Sequence, residues 1–134
     1  MKVRTKTIKQ SVNFKASPQE VYEALMNSKK HSKFTGSKAI VSPKEGGKFF
    51  IFGGSLYGKN LSLSKNRKIV QQWACKMKGW PKGYFSKATF SLKKIGGGAK
   101  LSFIQTGVPT SCYKDISDGW KRYYWSPMKQ TFRW

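Results

Sequence analysis

The apolar residues of this chain change their spacing once, and that change limits what it can fold into. From residue 39 onward they fall in short runs divided by glycine. Phe49 to Phe52 stands between Gly46-Gly47 and Gly53-Gly54, and Tyr84, Ala88, Phe90 and Leu92 share one parity ahead of Gly96-Gly97-Gly98. A period of two marks a half-buried strand, and glycine clusters mark turns, so this stretch predicts an antiparallel meander. Its strands are expected near 49–52, 56–63, 69–75, 84–92 and 99–106. After Asp115 the spacing becomes three and four, through Ile116, Trp120, Tyr123, Tyr124 and Met128, which is the stripe of an amphipathic helix. Asp115 and Asp118 suit the positive end of that helix, and Pro127 predicts a kink or broken turn within it.

Ahead of the meander, residues 4–14 read as a strand with Ile8, Val12 and Phe14 on one face. Ser17-Pro18-Gln19-Glu20 reads as a helix start: a serine cap, a proline at the first helical position, and a glutamate placed to close a capping box. Val21, Tyr22 and Leu25 form the apolar side of this helix, and a second short helical turn is expected from Lys29 to Phe34. The predicted fold class is therefore α+β. One curved antiparallel sheet wraps a long C-terminal helix, with two short helices after the first strand, as a single domain over residues 1–134.

Charge is the outstanding compositional feature. Twenty-seven Lys and Arg face five Asp and Glu, a formal net charge of +22 spread along the whole chain. Such a field attracts polyanions, so charge-driven nucleic-acid binding is one functional reading. Other classes find little support. Gly53 to Asn60 approximates a phosphate-binding loop, but Asn60 replaces the hydroxyl that would hold magnesium, and Leu61 and Leu63 continue as strand where a helix should begin. Lys82-Gly83-Tyr84 begins like an RNA-recognition segment and departs from it at Phe85 and Ser86. His31 is the single histidine, and Cys75 and Cys112 lack the spacing of a metal or redox pair. No catalytic residue, metal ligand or cofactor is predicted. The start of the chain has no apolar leader and no run approaches the ~20 residues that span a bilayer, so a cytoplasmic protein is expected. Trp80 beside Pro81, Trp125 beside the expected kink, and Lys82, Lys121 and Arg122 are the predicted partner contacts, because large aromatics dominate binding energy at interfaces; a tryptophan that plugs the end of the barrel is the alternative reading.

An ordered set of motifs carries a family resemblance. Ser17-Pro18-Gln19-Glu20-Val21-Tyr22, Phe34-Thr35-Gly36, Gly46-Gly47-Lys48-Phe49, Phe52-Gly53-Gly54 and Gly58-Lys59-Asn60-Leu61 come first. Lys68 to Trp73, Trp80 to Tyr84, Gln105 to Pro109, Gly119 to Trp125 and Lys129 to Phe132 follow in order. Together they resemble the C-terminal domain of activators of the ninety-kilodalton heat-shock chaperone ATPase, within the START-like or birch-pollen-allergen-like superfamily. The resemblance spans roughly residues 5–132. It implies a helix-grip fold, a chaperone of that class as partner, and a co-chaperone role in its ATPase cycle. It also implies a cavity between sheet and helix, bordered by Phe50, Trp73, Phe90, Phe103 and Trp120, so carriage of a hydrophobic small molecule is a further reading. The sequence departs from the family in charge: Ser111 to Lys114 occupies a stretch usually rich in glutamate.

Overall fold

A computed structural model describes residues 3–132 of this chain. The first strand, β1, is Thr5–Phe14, followed by helices α1 at Pro18–Met26 and α2 at Ser28–Thr35. The capping box that starts α1 forms: the Ser17 hydroxyl accepts from the Glu20 backbone N–H at 3.1 Å, and the Glu20 carboxylate accepts from the Ser17 N–H at 3.0 Å. Asn27 ends α1 and also caps α2, accepting from the Lys30 N–H at 3.0 Å. Six strands follow: β2 Ala39–Val41, β3 Lys48–Ile51, β4 Leu56–Ser64, β5 Lys68–Cys75, β6 Ser86–Ile95 and β7 Gly98–Pro109. A single 3-10 turn at Thr110–Cys112 leads into α3 at Tyr113–Trp120, a π turn at Lys121–Trp125, and α4 at Ser126–Thr131.

All strand pairings are antiparallel and the sheet order is β1-β7-β6-β5-β4-β3-β2. From β2 to β7 the chain meanders between neighbours. The helix pair carries it from β1 at one edge of the sheet to β2 at the other. Alternation decides which side chains face inward. Ser86, Ala88, Phe90 and Leu92 of β6 are buried, as are Ala99, Leu101, Phe103 and Gln105 of β7. In β4 a register shift between Asn60 and Ser62 lets Asn60 and Leu63 both turn toward the inner face while Leu61 is exposed.

The C-terminal helix packs on that inner face, and here the structure corrects the helical phase. Ile116, Trp120, Tyr124, Met128 and Phe132 are all buried, one every fourth residue. An ideal α-helix turns ~100° per residue, so four such steps would carry Phe132 roughly 160° away from Ile116. The π turn takes up part of this drift by widening the helix, with the Ser126 N–H donating to the Lys121 carbonyl five residues back. Trp125 is thereby turned into the core, only 5% exposed, while Tyr123, read as a core residue, stands 46% exposed. The interruption expected at Pro127 thus takes the form of a π turn just ahead of it.

Two fully buried polar links are among those that fix the helix to its surroundings. The Trp120 indole N–H donates to Gln105 Oε1 at 2.8 Å; Gln105 Nε2 donates to the Ser86 hydroxyl at 2.9 Å, which donates to the Trp73 carbonyl at 2.9 Å. On the other side, His31 of α2 meets Tyr124. His31 Nδ1 lies 2.9 Å from the Leu25 carbonyl, which can only accept, so Nδ1 carries the proton and Nε2 accepts from the Tyr124 hydroxyl at 2.8 Å. Burial lowers the His31 pKa from 6.5 to about 4, so the imidazole is neutral across the physiological range.

Both links predict measurable stability effects. Gln105→Leu keeps the volume but leaves the buried Trp120 N–H without an acceptor; a loss of about 2 kcal/mol is expected in denaturant unfolding. For His31, the unfolded chain takes up a proton more readily than the folded one between pH 6.5 and 4. Its contribution is therefore complete above pH 6.5 and declines by ~1.4 kcal/mol per pH unit below it. Thermal unfolding followed from pH 7 to pH 4.5 should show this decline in the native protein. His31→Gln should start lower at pH 7 and fall less steeply.

Candidate functional site

The inner face of the sheet and the C-terminal helix do not close completely. Beside the β3–β4 turn lies a solvent-connected cavity of about 410 Å³. Trp73 and Trp120, both buried, form its deep wall, and Met77 and Ile116 line its sides. At its mouth the rings of Phe52 and Tyr123 meet edge to face, 5.8 Å between centroids. Phe52 holds a left-handed backbone (φ 55°), followed by Gly53 and Gly54 at φ 68° and 91°. For a bulky residue this conformation costs on the order of 1 kcal/mol or more, and it aims the ring across the opening. Asp115, Lys76 and Ser55 supply polar groups in the lining.

Deeper in, only a void of about 10 Å³ remains, between Phe90, Trp73, Trp120, His31 and Gln71. That is roughly the space of one water molecule. The centre of the grip is filled with side chains, and the available space sits at one end.

This geometry sorts the predicted site residues. Trp73 and Trp120 line the cavity. Phe90 and Phe103 instead fill the core, with Phe103 packed 4.4 Å from Trp120, ring centroid to centroid. Phe50 does not border the cavity at all. In β3 the inward positions are Phe49 and Ile51, so Phe50 points outward and is 43% exposed.

The partner-contact residues divide in the same way. Lys82, Lys121 and Arg122 are exposed, and Arg122 lies over the Tyr123 ring at 5.4 Å. Trp80 is only 9% exposed: its indole donates to the Tyr84 carbonyl at 2.9 Å, and its ring packs edge-on against Trp73 at 5.6 Å. Trp125 donates to Gln10 Oε1 at 2.6 Å and stacks on Trp120. Both tryptophans are core residues, because the loop and the π turn fold them inward. The cavity wall also includes Phe52, Met77 and Tyr123; periodicity placed Tyr123 on the helix stripe but selected none of the three as cavity residues. Phe52, expected at the end of a strand over 49–52, lies in the turn after β3, and Met77 lies in a turn beyond any periodic run.

The cavity lining is mainly apolar. The Cys75 thiol in its wall is pushed up to about 12 by burial, with Cys112 nearby adding to the shift. It is a neutral thiol at physiological pH, and His31 is committed to Leu25 and Tyr124. Among the described residues no group of three or more His, Cys, Asp or Glu is placed to hold a metal ion. No helix of the described residues is long and apolar enough to cross a membrane.

Comparison with known proteins agrees with this architecture. The family described as activator of Hsp90 ATPase homolog 1-like protein matches residues 15–133. The activator of 90 kDa heat shock protein ATPase homolog of Dictyostelium discoideum is 36% identical over 132 residues, covering 98% of this chain and 34% of that protein. The Homo sapiens homolog 1 is 30% identical, covering 98% and 38%. The chain thus spans about a third of the length of these curated relatives. Among solved structures, an HSP90 activator from Plasmodium falciparum superposes with TM-score 0.86 at 21% identity, over 93% of this chain and 94% of that one. The Aha1 dimer from Colwellia psychrerythraea gives 0.81 at 20%, over 95% and 96%. A seven-stranded antiparallel sheet gripping a long C-terminal helix, together with a family match across nearly the entire sequence, places this chain in the activator of Hsp90 ATPase homolog 1-like family.

Proposed function

We propose that this chain is a co-chaperone-type domain that binds a ninety-kilodalton heat-shock chaperone and raises its ATPase turnover. The observation that carries the reading is the family match over residues 15–133, joined to relatives named as activators of that ATPase. The packing supports it. With the centre of the grip filled, the surface is the extensive feature left for recognition, and that surface is strongly basic. Among the described residues one ion pair forms, Lys30 with Glu23 at 2.8 Å, so nearly all of the positive charge lacks a carboxylate partner within the fold. An acidic partner surface would be steered toward it, in a salt-sensitive manner. The test is a coupled ATPase assay of purified chaperone at physiological salt, with and without this chain. Raised turnover is expected, weakening as salt rises. Unchanged turnover together with no measurable binding would end the reading.

The cavity favours a second reading, uptake of a small apolar molecule. Its volume of about 410 Å³ lies inside the usual range of ~300–1,000 Å³ for ligand pockets. Gly119 in its wall offers a way to test this, because a Cβ there would meet only Tyr123, at an ordinary 3.8 Å. Gly119→Ala should stabilise the helix by ~1 kcal/mol. Gly119→Leu should fill the space and abolish binding of a fluorescent lipid probe that the native protein takes up. If the native protein takes up no probe, the cavity is not a carrier site.

A further inference from the structure

None of the seven strands contains an Asp or Glu. The five acids lie elsewhere: Glu20 and Glu23 on α1, Asp115 and Asp118 on α3, and Glu45 in the β2–β3 loop, where its carboxylate accepts from the Leu63 N–H at 2.9 Å. The strands therefore place lysines but no carboxylate on the convex outer face of the sheet. Register gives it an internal order. In one row across the strands, Lys48 stands opposite Lys59, Lys59 opposite Gln72, and Gln72 opposite Lys87. Like charges directly opposite each other repel and weaken a sheet, so this row holds a repulsion that docking an anion would relieve.

The neighbouring row is apolar. Ile40 stands opposite Phe50, and Phe50 opposite Tyr57; Tyr57 then meets Phe85 edge to face at 5.9 Å. Ile40 is 52% exposed, and Phe50 and Phe85 are exposed beside it. A contiguous group of large apolar side chains on a charged face has the anatomy of a protein interface, with an apolar centre and a polar rim.

We infer that this face, centred on Ile40, Phe50 and Tyr57 and rimmed by Lys48, Lys59 and Lys87, docks an acidic surface of a protein partner. Resting on the co-chaperone reading above, that partner is the chaperone. A protein fits better than a nucleic acid for two physical reasons. A convex sheet and a convex duplex touch at few phosphates. The patch also offers an aliphatic side chain, the Phe50 ring, and the Tyr57 and Phe85 rings braced against each other at 83°, not a row of open faces on which successive bases could stack.

The test is equilibrium binding of the full chain to the purified chaperone at low and high salt, with far-UV circular dichroism confirming that each variant is folded. Phe50→Ala should weaken binding about tenfold at both salt concentrations, as loss of a central apolar anchor does. Lys48→Glu with Lys59→Glu should weaken it further at low salt and flatten its salt dependence. Lys29→Glu with Lys33→Glu on α2 changes net charge equally and should stay within about twofold of the native protein, since it lies off this face. A single-stranded oligonucleotide of ~20 nucleotides should not compete with the chaperone. Native protein that binds while all variants bind alike overturns the face and leaves the co-chaperone reading standing. Native protein that does not bind the chaperone overturns both. Oligonucleotide binding that displaces the chaperone and is abolished by the Lys48 and Lys59 reversal reassigns the face to nucleic acid.

Discussion

The hydrogen bond from the Trp120 indole to Gln105, at 2.8 Å, is the point on which sheet and helix agree. Gln105 is fully buried at the middle of β7, and burying an amide is unfavourable unless its donors and its acceptor both find partners. It passes one hydrogen bond to Ser86 on the neighbouring strand and accepts one from the helix, so a polar chain crosses from sheet to helix through apolar surroundings. Around that contact Trp120 packs against Trp73, Phe90, Phe103 and Trp125. A helix rotated by one residue would lose the hydrogen bond and strand its donor, which makes this contact a determinant of rotational setting as well as of stability.

The π turn follows from the same demand. Inward-facing residues every fourth position from Ile116 to Phe132 exceed what a regular α-helix can present to one surface. Widening the helix at Lys121–Trp125 keeps Tyr124 against His31 and brings Trp125 onto Gln10. It also leaves Tyr123 at the surface, where it meets Phe52 and forms the mouth of the cavity. The cavity and the π turn are thus two consequences of one packing problem.

The centre of the grip is filled: His31 is neutral, Cys75 is protonated, and the central void is about 10 Å³. Positive charge, by contrast, covers a sheet whose strands carry no acid at all. Opposed lysines in neighbouring strands oppose sheet formation mildly, and inward apolar burial offsets that repulsion.

Local and periodic features were legible in the sequence because they depend on neighbours along the chain. The Ser17–Glu20 box, the glycine turns, the alternation in β6 and β7 and the terminal aromatic helix are of this kind, and they were sufficient to specify an α+β grip. The site was legible in part: Trp73 and Trp120 were selected, whereas Phe50 was assigned to the wrong face, because a four-residue strand between glycine pairs carries too few positions to set its parity. Trp80 and Trp125 read either as partner contacts or as plugs at the end of the barrel, since a loop and a proline-flanked helix leave both open. Only the tertiary structure turned them inward, through hydrogen bonds to Tyr84 and Gln10 that join residues by packing and not by spacing. The sequence by itself determined which elements form and what charge they carry. Which aromatic residues close the core and which stand outside was decided when helix and sheet had to share one interior, because that choice depends on contacts between residues as far apart as Gln10 and Trp125.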